Sequence, residues 1–431
     1  MTLEGARQSA SAAQRTDDSR RSAGKLGVLI ALYFVQGMPF GFQATALPTY
    51  LRKQGVSVAA IGFLGVLSMP WLFKALWAPL VDRYGSLRFG RRKSWIAPLQ
   101  ALQALVCIAA GCVSVPNALP FLLALVFAMN LLAATQDIAV DGWAVDTLQH
   151  VELGLANAVQ VAGFKLGMLT GGGLLVWASR YIGWSGLFFS MAVINLLILG
   201  VALAAREPPP AAPAGVNGAG KRELGLVLRD LIEALRVPNT AWLFVFIATY
   251  KFGESLSDLL YKPFLVDAGI APERIGLWVG TWGMLASLVG TVSGGLLASG
   301  ISLLRAVGIA ALLRVFPLLA RVWLASSPIS EARFIGVTLS EEFFGGALTT
   351  AVFAFMMSRV DRKVSASHYT LLASVEVAGK LPGGPIGGLL VGSAHWSYAQ
   401  SFLLGAVLSV LFLLLLWPLR SASLASEVRP S

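Results

Sequence analysis

Two carboxylates, Asp137 and Asp141, stand inside an apolar run that begins near Leu119. Because they are four residues apart, a helix would place both on one face. Each would cost about 2.5–3.5 kcal/mol at the centre of a lipid-facing helix, so they must face protein or water. Their own helix offers no cation, and the alternative to a proton-binding role is a partnership with Lys165 or Lys380 across a cavity. Since two neighbouring carboxylates tend to hold one proton between them, the pair predicts a proton-binding site.

Other ionisable residues also fall inside apolar runs. Lys251, Glu254, Asp258 and Lys262 have the spacing i, i+3, i+7 and i+11, a helical stripe of alternating sign that can pair internally. Ionisable residues inside a membrane span are functional-site hypotheses by default. The alternative is that opposite charges only neutralise each other and hold helices together. Local pairing of this kind is as good an interpretation for Lys251 with Glu254, and for Glu376 with Lys380.

Two sets of candidates follow from these positions. The acidic residues expected to couple transport to protons are Asp137, Asp141, Glu254, Asp258, Glu341, Glu342 and Glu376. The amide and cationic residues expected to bind a solute are Gln36, Gln43, Lys74, Gln136, Gln160, Lys165, Lys251, Arg314, Arg321 and Lys380. By contrast, the glycine runs at 171–173 and 383–384 are interpreted as close helix packing, for which small residues are the usual device.

Composition supports a membrane setting for all of these residues. Of the 431 residues, 56% are hydrophobic and 13% are charged, whereas soluble domains carry about 25% charged residues. Apolar segments of about 20 residues recur, each long enough to cross a bilayer core of about 30 Å. The net charge of +11 does not indicate a nucleic-acid partner, because the basic residues lie mainly in loops between apolar runs. The sequence therefore predicts an all-α membrane protein.

The apolar runs predict twelve transmembrane helices, six on either side of a linker rich in Pro, Gly and Ala. Their ranges are 26–50, 58–81, 94–115, 119–147, 153–178, 184–205, 239–266, 274–299, 301–324, 330–357, 366–392 and 397–418. The expected organisation is a disordered tail over 1–25, a six-helix half over 26–205, a linker over 206–238, a second half over 239–418 and a tail over 419–431.

Charge gives the expected orientation in the membrane. An even number of spans places both termini on one side, whose loops and tails hold 21 Lys and Arg. The opposite loops hold five: Arg52, Lys53, Arg180, Arg274 and Arg333. Because loops rich in Lys and Arg stay in the cytoplasm, both termini are predicted to be cytoplasmic.

The two halves also repeat at an offset of 214–216 residues. The matches are Pro48 with Pro263, Ile61-Gly62 with Ile275-Gly276, Gln160 with Glu376, Lys165 with Lys380, and Val145-Asp146 with Val360-Asp361. Three matching stretches at one offset indicate two pseudo-symmetric halves around a central site, which is the plan of the major facilitator fold. Asp137 and Asp141 align with Val352 and Met356, so the repeat does not require the acidic pair for packing.

The loop WAPLVDRYGSLRFGRRK at 77–93 is similar to the basic loop of the major facilitator superfamily. The residues that fit its pattern are Asp82, Arg83, Gly90, Arg91 and Arg92. An acidic residue at a helix end facing basic partners would form a latch that holds one conformation. The positive-inside rule alone would explain the arginines but not Asp82.

A narrower resemblance comes from QGMPFG (36–41), LPTYLR (47–52), KALWAPLVDRYG (74–85), GRRKSW (90–95) and TQDIAVDGWAVDTL (135–148). Their order and spacing resemble the AmpG muropeptide permease and acetyl-coenzyme A transporter branch of the superfamily. The pattern also resembles major facilitator domain-containing protein 3. The resemblance implies a multi-pass inner-membrane transporter of a bulky anionic or amphiphilic solute.

The expected function is therefore proton-coupled uptake of a muropeptide-like solute by alternating access, in a monomer within the lipid bilayer. An acyl-CoA transporter is the alternative within the resemblance, and a non-transporting scaffold or sensor is the alternative of another class. No enzyme, cofactor or metal site is expected, because the runs lack a nucleophile–base set and a metal-ligand spacing. The expected partners are the solute, protons and lipid.

Overall fold

The chain is described here by a computed structural model. It describes residues 24–86, 88–113, 118–147, 153–205, 207, 240–359 and 365–416. Within these ranges the regular elements are helices. The predicted tails and the linker, apart from residues 24, 25 and Glu207, lie outside the described residues.

Helices occupy the first part of the chain up to Ala204. Their bounds are α1 Gly24–Lys53, α2 Val58–Phe73, α3 Ala78–Arg83, α4 Lys93–Gly111, α5 Leu119–Thr147, α6 Leu153–Leu169 and α7 Leu175–Ala204. A π-helical turn, Thr170–Leu174, joins α6 to α7. Gly183 interrupts α7 with a φ of 71°, which a glycine adopts without strain. This break lies between the predicted ranges 153–178 and 184–205.

Helices also occupy the second part of the chain. Their bounds are α8 Thr240–Thr249, α9 Phe252–Asp267, α10 Pro272–Ile275, α11 Met284–Gly300, α12 Leu303–Ala325, α13 Glu331–Ser358, α14 Ser365–Lys380, α15 Gly383–Gly392 and α16 Tyr398–Leu411. A π-helical stretch, Gly276–Gly283, joins α10 to α11. Such π turns occur mostly at functional positions in helices.

Seven helical segments within the described residues are long and apolar enough to cross a membrane. They are Gly24–Lys53, Lys93–Gly111, Leu119–Ala144, Val159–Ala204, Pro272–Gly300, Leu303–Ala325 and Tyr398–Leu415. Val58–Phe73 is a shorter apolar helix. The all-helical membrane class is thus established, and the count of twelve spans stays a prediction.

The chain divides into two compact units. The first comprises Met1–Phe42 and Phe73–Ala214, and the second comprises Gln43–Leu72 and Gly215–Ser431. Residues 43–72 therefore pack with the second unit, although the predicted boundary would place them in the first half.

In the first unit, α1 and α6 touch along their backbones. A Cβ atom at Gly41 would overlap the backbone of Met168, and one at Gly167 would overlap the carbonyl of Phe34. Gly171 lies against the Met38 carbonyl in the same way. The glycine run at 171–173 therefore serves close packing, as the sequence predicts.

In the second unit, glycines again bring helices together. Gly62 on α2 lies against the backbones of Gly384 and Gly388 on α15, and Gly253 on α9 lies against Gly405 on α16. The core beneath them is apolar and includes Leu256, Phe264 and Phe402. Packing at backbone distance holds residues 43–72 on the second unit.

We predict that Gly41→Ala lowers the free energy of unfolding by about 1–3 kcal/mol, because the added methyl must push α6 away. Thermal unfolding of the purified protein in detergent measures this. Gly27→Ala is the matched control on α1, since nothing lies within 4 Å of its Cβ position, and it should leave stability unchanged or slightly raised. Equal melting temperatures for the two variants would contradict the close-packing interpretation.

Candidate functional site

In the first unit, Asp137 forms an ion pair with Lys74. The carboxylate lies on α5, and the ammonium lies on a short 3-10 turn, Lys74–Leu76, that follows α2. The side chain of Asp137 is 6% exposed, whereas that of Lys74 is 32% exposed. Lys74 is therefore the cation in this pair, a partner that the sequence analysis did not name beside Lys165 and Lys380. Lys74 was already a solute-binding candidate, but the 63 residues between the two gave no signal that they pair.

Asp141, one turn further along α5, has different surroundings. It accepts hydrogen bonds from the Tyr33 hydroxyl at 2.7 Å and from the Gln160 amide at 3.2 Å. Both donors are neutral. The two carboxylates therefore share a helix face, as predicted, but only Asp137 has a cation in direct contact among the described contacts. Tyr33 was missed in the sequence because a tyrosine near a helix start has no distinguishing pattern.

The basic loop also belongs to the first unit. Gly90 adopts a φ of +95°, and the buried Arg92 places its guanidinium against Gly142 on α5. Glu207, which the sequence analysis missed, accepts hydrogen bonds from the backbone N–H groups of Arg92 at 2.8 Å and Lys93 at 3.1 Å. A carboxylate at the N-terminus of α4 is favoured by the helix dipole.

Only part of the predicted latch can be placed. The side chains of Asp82 and Arg83 lie outside the described residues, and Arg91 is half-buried beside Arg92. Lys93 completes the contact by donating from its ammonium to the Leu203 carbonyl at 3.1 Å, at the end of α7. These contacts join the loop and the start of α4 to the end of α7.

In the second unit, Glu341 on α13 bridges two arginines of α12. One of its oxygens pairs with Arg314, and the other lies 2.5 Å from Arg321. Arg314 also donates to the Glu341 backbone carbonyl. All three side chains are buried. Arg314 and Arg321 are seven residues apart, so α12 presents them on one face, two turns from each other.

Helix α9 supplies the other carboxylates of this network. Glu254 lies 3.4 Å from Arg314, and Asp258 lies 2.6 Å from Arg321. The guanidinium of Arg321 also stacks over the ring of Tyr261, with 4.4 Å to the ring centroid. Glu254 thus pairs with Arg314 on α12, a partner that the interpretation of local pairing with Lys251 did not include.

The second unit contains a further ion pair on α14. Lys380 lies 3.1 Å from Glu376, as the i, i+4 spacing predicts. The side chain of Lys380 is 39% exposed, and that of Glu376 is 4% exposed. The hydroxyl of Tyr250 donates to Glu376 at 3.3 Å.

The exposed side of α9 completes the polar surface of this unit. Lys251, Asp258 and Lys262 are partly exposed, at i, i+7 and i+11. The Lys262 ammonium donates to the Asp258 backbone carbonyl at 3.2 Å, and Lys251 lies over the ring of Tyr250. Glu342 is also partly exposed, and its side chain lies against Gly283 in the π-helical stretch.

The remaining candidates occupy several places. Gln43 bonds locally, donating to the Leu64 carbonyl at 3.0 Å and to Ser68 at 2.7 Å, so it joins α1 to α2. Gln36 is fully buried on α1, and its amide has no hydrogen-bond partner among the described residues. Gln136 is 2% exposed, and Lys165 lies half-buried on α6.

The sequence analysis missed a polar cluster made by Arg52, Asp267 and Tyr398, all in the second unit. Arg52 holds the Asp267 carboxylate in a two-pronged pair, with N–O distances of 2.5 and 2.8 Å. Tyr398 donates to the same carboxylate at 2.6 Å. Arg52 and Asp267 are 215 residues apart, which is the offset of the internal repeat. The clue to this pair in the sequence was that two opposite charges occupy equivalent positions of the internal repeat.

Among the described residues, no cluster of His, Cys, Asp and Glu has a metal-binding arrangement. What recurs is an ion pair with one buried and one partly exposed member, in Lys74–Asp137, Lys380–Glu376 and Asp258–Arg321. A buried charge needs its partner, whereas an exposed partner can exchange for another ion. The arrangement is suited to binding and releasing charged species.

Comparison with known proteins places this geometry among transporters. Residues 25–176 match a family model described as acetyl-coenzyme A transporter 1. The anhydromuropeptide permease of Escherichia coli K12 is 31% identical over 397 residues, which cover 90% of this chain and 78% of that protein. A Rickettsia felis relative named transporter AmpG 4 is 26% identical, over 81% of this chain and 86% of its own.

Solved structures share the fold. A point variant of the nucleoside transporter NupG superposes with a TM-score of 0.72 at 16% identity, covering 91% of this chain and 99% of that one. A bacterial homologue of the human lysosomal transporter Spinster gives a TM-score of 0.69 at 17% identity, covering 92% and 95%. These relatives and structural neighbours are transporters and not enzymes.

We predict that Lys74→Met destabilises the protein towards the lower end of about 3–5 kcal/mol, because it leaves Asp137 buried without its cation. The double variant Lys74→Met/Asp137→Asn should recover most of that loss. Thermal unfolding in detergent measures the wild type, Lys74→Met, Asp137→Asn and the double variant. If the double variant is as unstable as the sum of the two single changes, the pair does not compensate charge.

Proposed function

Because this chain belongs to the anhydromuropeptide permease family, we propose that it takes up an anhydromuropeptide-like solute across the inner membrane together with protons. The relatives described above are named as permeases or transporters. An ionic solute is supported by the ion pairs in which a partly exposed side chain contacts a buried side chain of opposite charge. Lys74 and Lys380 offer exposed ammonium groups, which suit a solute bearing carboxylates.

We infer that uptake proceeds by alternating access of two six-helix halves with both termini cytoplasmic. In that topology the α1–α2 loop and the end of α9 lie on the outer side, where Arg52, Asp267 and Tyr398 meet. These contacts, with Gly62 against Gly384, close the outer side of the second unit. An outward-open state then requires the Arg52–Asp267 pair to break. The loop at 77–93 is its cytoplasmic counterpart, with Gly90, Arg92 and Glu207 as the latch contacts.

The proposed proton site is Asp141. Its hydrogen-bond donors among the described residues, Tyr33 and Gln160, are neutral, whereas Asp137 has a cation in direct contact. Asp137 is compensated by Lys74 and keeps its charge more readily. Because the carboxylates lie one turn apart, a proton on Asp141 also relieves their mutual repulsion.

An acyl-CoA solute is the second candidate, favoured by the match of residues 25–176 to the acetyl-coenzyme A transporter model. Such a solute is also anionic and would meet the same lysines. It differs in carrying phosphates and a nucleotide, so direct comparison of the two solutes separates the proposals. A non-transporting scaffold finds no support among the relatives.

The decisive test is uptake into proteoliposomes of purified protein, with the exterior acidic relative to the lumen. We expect accumulation of a radiolabelled anhydromuropeptide and not of acetyl-CoA. Asp137→Asn and Asp141→Asn should both abolish pH-driven accumulation, and Asp141→Asn should retain exchange of internal for external solute, since exchange needs no net proton movement.

Glu331→Gln is the matched control, because Glu331 at the start of α13 forms an exposed ion pair with Arg274 on α10, and it should transport like the wild type. Accumulation of acetyl-CoA alone would favour the second candidate. Wild-type, pH-dependent accumulation in both aspartate variants would contradict the coupling role of the pair.

A further inference from the structure

The two buried arginines of α12 differ in one respect that bears on solute recognition. We propose that Arg321 binds a carboxylate of the solute, and that this carboxylate displaces Asp258 from the arginine. The inference rests on the proposed function, because it assigns part of the solute site of the same transporter. Its support comes from which of the arginine's partners can be replaced.

Arg321 cannot be reached by a solute without displacing a partner. Its side chain is 2% exposed, and it is held by Glu341 at 2.5 Å, by Asp258 at 2.6 Å and by the ring of Tyr261. Glu341 is buried and also binds Arg314, so it is fixed on both oxygens. Asp258 is 37% exposed. Solvent therefore reaches one of the two carboxylates, and a solute can take only that place.

Arg314 provides the internal comparison. Its carboxylate partners are Glu341 and Glu254, whose side chains are 4% and 11% exposed. Neither partner faces solvent enough to be replaced. Arg314 thus has a structural role, whereas Arg321, seven positions away on the same helix, has a partner that can be exchanged. The Nε atoms of both arginines are buried without a hydrogen-bond partner in the described residues, so each guanidinium retains donor capacity.

The exchange keeps the local charge balanced. When a solute carboxylate takes the place of Asp258 at Arg321, Asp258 loses its cation. If Asp258 then takes up a proton from solvent, the site gains one negative charge and one positive charge. Solute and proton enter the site together, which is the condition for symport.

Titratable and charged groups surround Asp258 on three helices. They comprise Glu254, Tyr261 and Lys262 on α9, Arg314 and Arg321 on α12, and Glu341 and Glu342 on α13. The exposed cation closest in sequence is Lys262, whose ammonium lies on the Asp258 carbonyl. Lys262 would draw an incoming anion towards this position. A carboxylate fits better than a sugar hydroxyl, because guanidinium and carboxylate form two parallel hydrogen bonds.

The test compares an anhydromuropeptide with free carboxyl groups and the same compound with its carboxyl groups converted to carboxamides. Equilibrium binding to purified protein in detergent is measured at about pH 5.5 and about pH 7.5, on either side of the range in which a carboxyl without its cation would titrate. In the wild type, the acid form should bind about tenfold more tightly than the amide, the loss expected for one charge-assisted pair. It should also bind more tightly at the lower pH, where Asp258 is more easily protonated.

Two variants and two matched controls identify the residues. Arg321→Lys should lose the preference for the acid, because an ammonium cannot form the two-pronged pair. Asp258→Asn should bind the acid at the higher pH as tightly as the wild type does at the lower pH, with no further pH dependence. The controls Arg274→Lys and Glu331→Gln lie in an exposed ion pair outside this network, and both should keep the preference and the pH dependence.

The outcomes separate this inference from the proposed function. Binding with no difference between acid and amide, or an unchanged pH dependence in Asp258→Asn, would overturn the Arg321 site while leaving the transporter proposal intact. If Arg321→Lys does not fold, the pH dependence of Asp258→Asn decides alone. If acetyl-CoA binds and neither muropeptide form does, both the proposed solute and the proposed carboxylate site at Arg321 are wrong.

Discussion

The cost of placing charge inside a membrane is the constraint on which this protein depends. An isolated aspartate or arginine in the hydrocarbon core is expensive, and leaving one buried without a partner would oppose folding. The described residues meet this constraint with pairs that join different helices, such as Lys74 with Asp137 and Arg321 with Asp258. In each pair one member is buried and the other reaches solvent. The buried member fixes the position, and the exposed member remains available to an incoming ion.

Small residues set how closely the helices approach one another. Glycines hold α1 against α6 at Gly41 and α2 against α15 at Gly62. Gly171 and Gly172, in the π-helical turn Thr170–Leu174, lie against the backbone of α1. A glycine also leaves room for charge, since a Cβ atom at Gly345 on α13 would lie 3.0 Å from the guanidinium of Arg314.

Many helix positions and one of the ion pairs could be predicted from the sequence, and the ion pairs that were not predicted share one cause. Apolar run lengths predicted helix positions well; the range 119–147 coincides with α5. The Glu376–Lys380 pair followed from i, i+4 spacing. Partners on different helices did not follow, because pairing depends on how each helix is rotated about its axis. For this reason local pairing with Lys251 was considered for Glu254, which meets Arg314, and Lys74 was not recognised as the partner of Asp137. The Arg52–Asp267 pair was also missed, although the repeat offset separates its two members.

We propose that an anionic solute enters with protons because the interior keeps its charge balanced. The most direct test records luminal pH with a trapped indicator in proteoliposomes that start without a pH gradient. Addition of external anhydromuropeptide should acidify the lumen in step with solute uptake, and a protonophore should remove the acidification while uptake continues. Uptake of the solute with no change in luminal pH would contradict the claim.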